Sequence, residues 1–477
     1  MLFKLIDPSS VFMMKKRFSS GSCNAMVIPF MMALSFSLFS VLYFFYGDSS
    51  SRFNHFSSIS KSPSFARNQD QNLKREKSSE RDPQYSFLQV ESQISCDRSH
   101  YHYDLCSING PNVLDPISSS FYAIGPTSPR NFMQKIRPYP RKWENLTMSR
   151  IKEVTLISGP KGPNCNVIHN TSAVVFSAGG YTGNFFHDFN DGFLPLFITV
   201  GSMSLSNQDV VLVITKSRDW WVSKYSDLLG AFSNYPIINL DNETITHCFK
   251  SVSLGLVSHG FMTIKPRLMP KPTTILDFHY FLNKAYGKAQ QTDFPIPMTR
   301  PKLILLSRSS GVGRVILNQV EIKTIAENMG FNVFVFEPKP ENTLFEAHGL
   351  MNESHVMVGV HGAALTHFLF LRPGSIFIQV VPIVIDGVAE MCFGKPAKEM
   401  GLTYLEYKIR VEESSLVNRY NKSDPILTNP MSSNKNWWAD LGKVYLKEQN
   451  VELDLIRFKD YLKYAYIKAK RFMNKVG

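Results

Sequence analysis

Three short stretches hold side chains able to do chemistry. In residues 179–197, GGYTGNFFHDFNDGFLPLF, His187 and Asp191 stand four apart. On a helix they share one face, while Asp188 points elsewhere. An imidazole beside a carboxylate, reached from a glycine-rich loop, suits a general base that deprotonates a hydroxyl. A capped helix with a structural His–Asp pair fits the same residues equally well. The second stretch, SRSSGVGRVILNQVEI at 307–322, sets Arg308 and Arg314 on either side of Gly311-x-Gly313. Two guanidiniums beside a helix start can hold a diphosphate through bidentate, charge-assisted hydrogen bonds. As a dinucleotide fingerprint the stretch is incomplete, because Ile316 stands where a third small residue is needed. Asn318 and Glu321, one turn apart, either contact a nucleoside or brace the loop, and bracing suits Glu321 better.

The third stretch, VGVHGAALTHFLFLRPGS at 358–375, is an apolar run ending in His361, Gly362 and Ala363. Small residues at the carboxyl end of a parallel strand, opening a helix, offer free backbone N–H groups and a favourable dipole to phosphate oxygens. For His361 alone a tight turn with a packing histidine is the plainer reading, but the neighbouring arginine motif favours a ligand. Trp220 and Trp221 read as aromatic core before they read as a sugar platform.

Absences narrow the chemistry. No two aspartates are separated by a single residue, so the Asp-x-Asp that grips a divalent metal and a nucleotide diphosphate is missing. No Gly-x-Ser-x-Gly elbow and no phosphate-loop motif occurs, which disfavours a serine hydrolase or an ordinary ATPase.

These stretches sit at the junctions of regular elements. In the first half, TSAVVFSAGG and DVVLVITKS read as buried strands flanking a helical segment at 184–200. After a proline-bearing linker at 284–301, strands KLILLS, NVFVFEP, HVMVGV and SIFIQVV alternate with helices ILNQVEIKTIAENMG, ENTLFEAHGLMN and GAALTHFLFL. Strands with helical crossovers imply a parallel sheet covered on both faces. Residues 451–476 carry Leu455, Phe458, Leu462, Ala465, Ala469 and Phe472 at spacings of three and four, a stripe that predicts a helix folded back on the body.

At 477 residues the chain exceeds what one core usually holds, so two core-sized units are expected. Residues 25–46 are free of charge and long enough to span a bilayer. Lys15, Lys16 and Arg17 precede them, which places a basic tail, 1–24, in the cytosol and the rest of the chain in a lumen. Residues 47–95 lack apolar periodicity and read as a flexible stem. Asn145, Asn170, Asn242, Asn352 and Asn421 are glycosylation acceptors on the luminal side. Of the luminal thiols, Cys96 and Cys106 bracket a short loop and form the preferred disulfide, leaving Cys165, Cys248 and Cys392 unassigned; Cys23 reads as an inert thiol. The net charge of +13 is scattered, which argues for an anionic small substrate rather than nucleic acid.

Taken together, 179–197, LVSHGFMTI at 256–264, 307–322, 358–374 and YLEYKI at 404–409 resemble plant members of glycosyltransferase family 61, the xylan xylosyl- and arabinosyltransferases. The resemblance covers the chain from Cys96 onward. It implies an α/β fold of GT-B type, two Rossmann-like domains with parallel sheets at 96–290 (acceptor side) and 291–450 (nucleotide-sugar side). It further implies metal-independent, inverting transfer of a pentose from a UDP-sugar to xylan in the Golgi, by a type II membrane protein able to join a Golgi glycosyltransferase complex, with no cofactor. Carried over, Arg308 and Arg314 meet the diphosphate, His361 to Thr366 line the nucleotide pocket, and His187 or Asp191 serves the acceptor. Ala364 and His367 stand where family members often have glycine and asparagine. A catalytically silent luminal scaffold and an N-glycan transferase are the alternatives, with a nicotinamide oxidoreductase third.

Overall fold

The computed structural model describes residues 91–125, 132–159, 162–203, 209–287, 299–308, 311–339, 341–429 and 441–476. The tail, the apolar span, nearly all of the stem and the 290/291 domain boundary fall outside the described residues. Among those described, no helix is long and apolar enough to cross a membrane.

Two sheets organise the chain. The first contains β1 (Gln93–Asp97), β2 (Leu105–Asp115), β3 (Ser120–Ile124), β4 (Phe132–Ile136), β5 (Val154–Gly159), β6 (Val167–His169), β7 (Ser172–Ser177), β8 (Val210–Thr215), β9 (Ile238–Asn239) and β10 (His247–Leu254). Its order is β4-β5-β3-β2-β10-β7-β8-β9, with β1 on β2 and β6 on β10. The expectation of a parallel sheet holds for β10-β7-β8-β9, whereas β2 runs antiparallel to β1, β3 and β10. Burial explains the division. Every residue of β7 and β8 is buried, as both faces are covered, while β5 alternates buried and half-buried.

The second sheet is wholly parallel. Its strands β11 (Lys302–Leu306), β12 (Asn332–Phe336), β13 (Val356–Val360), β14 (Ile376–Val381) and β15 (Thr403–Lys408) run in the order β12-β11-β13-β14-β15. Alternate side chains serve different cores. Ile304 and Leu306 join an apolar cluster shared with Val174, Phe193 and Phe278 from the first half, whereas Leu303 and Leu305 meet Phe458, Leu462, Ala465 and Ala469 of the final helix, Leu455–Val476. One continuous core therefore fills the space between the sheets.

Three helices differ from their sequence-based outlines. The 184–200 segment is an α-turn Phe185–His187, a π-turn Asp188–Phe193 and an α-helix Leu194–Ser202. The helix expected from Ile316 begins at Gln319, because positive φ at Gly311, Gly313 and Arg314 and a bridge from Ile316 to Val451 keep the preceding residues irregular. Ala363–Phe370 is a 3-10 helix.

Candidate active site

In the second sheet, and in the parallel part of the first, the chain reverses its direction of winding at one place. That place is between β11 and β13 in the second sheet and between β7 and β10 in the first, and such switch points open a crevice at the strand carboxyl ends. The three sequence stretches lie at these two crevices.

At the second-sheet crevice, Arg308 follows β11 and His361-Gly362 follows β13. The loop that brings Arg314 back has left-handed backbone at Gly311 (φ 89°), Gly313 (φ 71°) and Arg314 (φ 58°). A side chain at Gly313 would collide with the carbonyl of Lys447. Arg308 Nε donates to the Gly313 carbonyl at 3.1 Å, and Arg314 Nη1 donates to the His361 carbonyl at 2.9 Å. Both guanidiniums converge on Gly362, where an added methyl would collide with Arg308 Nη1 and crowd Arg314 Nη1 at 3.2 Å. Glycine is needed there for close approach. Among the described residues no carboxylate faces either arginine, and Arg314 Nε is buried without a partner. Burial, then the neighbouring Arg308 charge, pulls the Arg314 guanidinium down to about 9. The same burial and the two arginines hold His361 neutral, at about 3, with Nδ1 against Gln379 Nε2 at 2.9 Å and Gln379 in turn held by the Tyr404 hydroxyl. Two positive groups facing each other without a counterion form an anion site.

The first-sheet crevice holds a network centred on Asp191. Its carboxylate accepts from Arg141 Nε (3.1 Å), the Tyr139 hydroxyl (3.0 Å) and Asn190 Nδ2 (2.6 Å), and contacts His187 Nδ1 at 2.7 Å. Burial opposes the Asp191 charge, yet Arg141 and His187 outweigh it and bring the carboxyl down to about 2. Arg141 Nη2 also lies 3.1 Å from His187 Nδ1, but the shorter contact with the ionised Asp191 carboxylate holds the ring proton on Nδ1 and leaves Nε2 the unprotonated nitrogen. Tyr181 stacks on the imidazole at 4.5 Å between ring centroids. Asp188 is spent structurally, accepting from Tyr225, Trp221 and the Gly183 amide.

The two crevices adjoin. Phe393 sets an edge on Phe186 (5.4 Å) and on His361 (5.3 Å), and Phe185 stacks on His367 (4.5 Å). Cys392, a buried free thiol pushed up to about 12 by burial, lies within electrostatic reach of Arg141 and Asp191.

Other sequence candidates fall variously. Ala363 is half-buried beside Gly362, and Thr366 is buried with its hydroxyl unpartnered. Asn318 does not join the convergence on Gly362: its amide holds both main-chain groups of Leu453 and so braces the arginine loop. His367 bonds the Ala364 carbonyl at 2.7 Å and packs among Phe185, Phe336 and Phe370. Trp221 is core, stacked on Phe193, while Trp220 is 44% exposed and lies beside Gly183. Asn145, Asn170, Asn242 and Asn421 are exposed, and Asn352 is half-buried. Disulfides join Cys96 to Cys106 and Cys165 to Cys248. Among the described residues no group of three or more His, Cys, Asp or Glu side chains is placed to hold a metal ion. Sequence reasoning missed Tyr139, Arg141 and Gln379, and met Tyr404 only as part of YLEYKI; it missed too Glu144, which accepts from Arg141 Nη1 and the Tyr181 hydroxyl. Nothing in RPYPRKWEN marks an arginine that meets an aspartate fifty residues away.

Residues 183–378 match the model of the family described as Glycosyltransferase 61. A xylan glycosyltransferase of Arabidopsis thaliana is 41% identical, over 80% of this chain and 81% of its own. The chain belongs to glycosyltransferase family 61. Two further relatives from Oryza sativa subsp. japonica are an alpha-1,3-arabinosyltransferase, 37% identical over 77% of this chain and 63% of its own, and a beta-1,2-xylosyltransferase, 32% identical over 80% and 86%. The span matched to the family 61 model takes in His187, Asp191, both arginines, His361 and Gly362. Arg141 and the final helix lie outside it.

Proposed function

We propose that this glycosyltransferase moves a pentose, xylose or arabinofuranose, from a UDP donor to a xylan backbone, with inversion and without a metal. The observation that carries the reading is the pair of guanidiniums over Gly362 with no carboxylate among the described residues to balance them. A departing nucleoside diphosphate supplies the missing charge. The xylan-directed names of the Arabidopsis and rice relatives support the acceptor class.

In this mechanism His187 Nε2 takes the proton of the acceptor hydroxyl as its oxygen bonds the anomeric carbon. The bond from that carbon to the diphosphate oxygen breaks with its electron pair, and UDP leaves into the field of Arg308, Arg314 and the amides opening the 3-10 helix. Asp191 acts through His187: it orients the ring and stabilises the imidazolium. His361 to Thr366 line the nucleotide pocket. The crevices then correspond to the two sides of a GT-B cleft, with the acceptor on the first sheet and the donor on the second. The chain works in the Golgi lumen behind an N-terminal anchor, where it can join a glycosyltransferase complex.

The test is a screen of the purified protein against several UDP-sugars with xylo-oligosaccharide acceptors, read by mass spectrometry with and without chelator. A pentose added to xylan at a rate indifferent to chelator is expected. Donor binding with no product on any xylan acceptor overturns the reading.

A further inference from the structure

An aromatic surface beside the Asp191 network is unexplained by proton transfer or leaving-group binding. Arg141, which holds Asp191, is itself surrounded by ring faces: its guanidinium carbon lies 5.4 Å from the Trp143 centroid, 5.4 Å from Tyr181 and 5.2 Å from Phe261. Tyr181 stacks on His187, and Tyr101 stacks on Trp143 with centroids 5.5 Å apart and planes 9° from parallel. Tyr101 is 62% exposed. Ring stacking thus leads from the solvent-facing Tyr101 to Trp143, and the buried Arg141 guanidinium links Trp143 to Tyr181 and the imidazole.

The loop that presents Tyr101 is held rigidly. The Cys96–Cys106 disulfide closes its base, where those residues are directly paired across β1 and β2. Arg98 and Lys142 both pair with Asp104, the Lys142 amide donates to the His102 carbonyl at 3.1 Å, and Lys142 Nζ reaches the carbonyls of Arg98 and His100. An exposed tyrosine gains nothing for the core from this bracing. A fixed ring face at the mouth of a crevice lowers the ordering cost of a ligand that lies on it.

We propose that the exposed face of Tyr101, backed by the half-buried Trp143, forms a remote acceptor subsite, a platform on which an extended neutral glycan chain lies while one of its sugar units reaches His187. The occupant follows from chemistry: the apolar faces of pyranose rings stack on aromatic rings, and continuity with the His187 crevice places the chain where its hydroxyl reacts. The identity of that chain as xylan rests on the function proposed above.

The test uses Tyr101→Ala, Tyr101→Phe and Trp143→Phe in the purified protein. Xylohexaose should quench the fluorescence of the wild type, and the quench should shrink in Trp143→Phe. Tyr101→Ala should raise KM for xylohexaose roughly 3- to 10-fold, the worth of one aromatic contact, with kcat, UDP affinity and KM for xylobiose unchanged. Tyr101→Phe should behave as wild type. An unchanged KM for xylohexaose in Tyr101→Ala, in an enzyme that does transfer to xylan, overturns the platform and leaves the function standing. Xylohexaose binding through Trp143 with no transfer overturns the function and leaves the platform. A parallel loss of UDP affinity makes Tyr101 merely structural and also overturns it.

Discussion

At the scale of single residues, the two crevices should fail in different ways. Arg308→Ala removes the charged donor proposed for the diphosphate, and such contacts are worth about 1.5–3 kcal/mol, so UDP affinity should fall roughly 10- to 100-fold in titration calorimetry. His187→Ala should leave UDP affinity alone and lower turnover by on the order of 10²- to 10⁴-fold, the usual loss with a general base. Asp191→Asn should follow it, since His187 then loses the carboxylate that fixes its tautomer. Full activity in Asp191→Asn would remove the proposed dyad. The sequence showed His187 and Asp191 on one face but left the roles open, because the deciding partners, Tyr139 and Arg141, come from a strand end and loop far off in the chain. Spacing reveals neighbours along a helix and is blind to contacts made across a sheet.

Among elements, the segment leading into the final helix has more to do than its apolar stripe implies. Gln449 accepts from the Arg314 amide at 2.5 Å, the Val451 amide donates to Val315, and Leu453 holds Asn318. Residues 449–453 therefore pin the arginine loop, and truncation after residue 448 should abolish UDP binding even where the body folds. Gly313→Ala should do much the same, because its methyl meets the Lys447 carbonyl from a left-handed backbone. Limited proteolysis separates a loosened loop, cut near 311–314, from global unfolding. The stripe itself was legible because six apolar residues fall on one helical face. The pinning was not, since main-chain hydrogen bonds leave no mark on residue type. Likewise, the all-buried strands β7, β8, β11 and β13 were plain as runs of Val, Ile and Leu, while β1 to β5, whose burial is broken by half-buried or exposed positions, were not identified at all.

For the molecule as a whole, burial keeps several histidines neutral. His361 is held at about 3 and His367 at about 4, against about 6.5 in an unfolded chain. Below 6.5 the unfolded state binds the protons and the folded state resists them, so stability falls as pH drops through the window from 6.5 toward 3. Each of the two should cost roughly 2 kcal/mol between pH 6.5 and 5, from about 1.4 kcal/mol per pH unit. Thermal unfolding at pH 7.5 and 5.0 should show a lower Tm at the acid value, and His367→Asn should shrink the difference by that one residue's share while His361 keeps the rest. Asp191 does not contribute between pH 7.5 and 5.0, since the stability supplied by its depressed carboxyl is lost only between its ordinary value of 3.8 and about 2.

The account turns on the anion site over Gly362, and calorimetric titration of UDP and of uridine into the wild type and the Arg308→Ala, Arg314→Ala double variant tests it most directly. UDP should bind the wild type at least 100-fold more tightly than uridine on the energies of about two charged contacts, with the gap largely gone in the double variant. Equal affinities in the wild type, or an undiminished gap in the double variant, would contradict it.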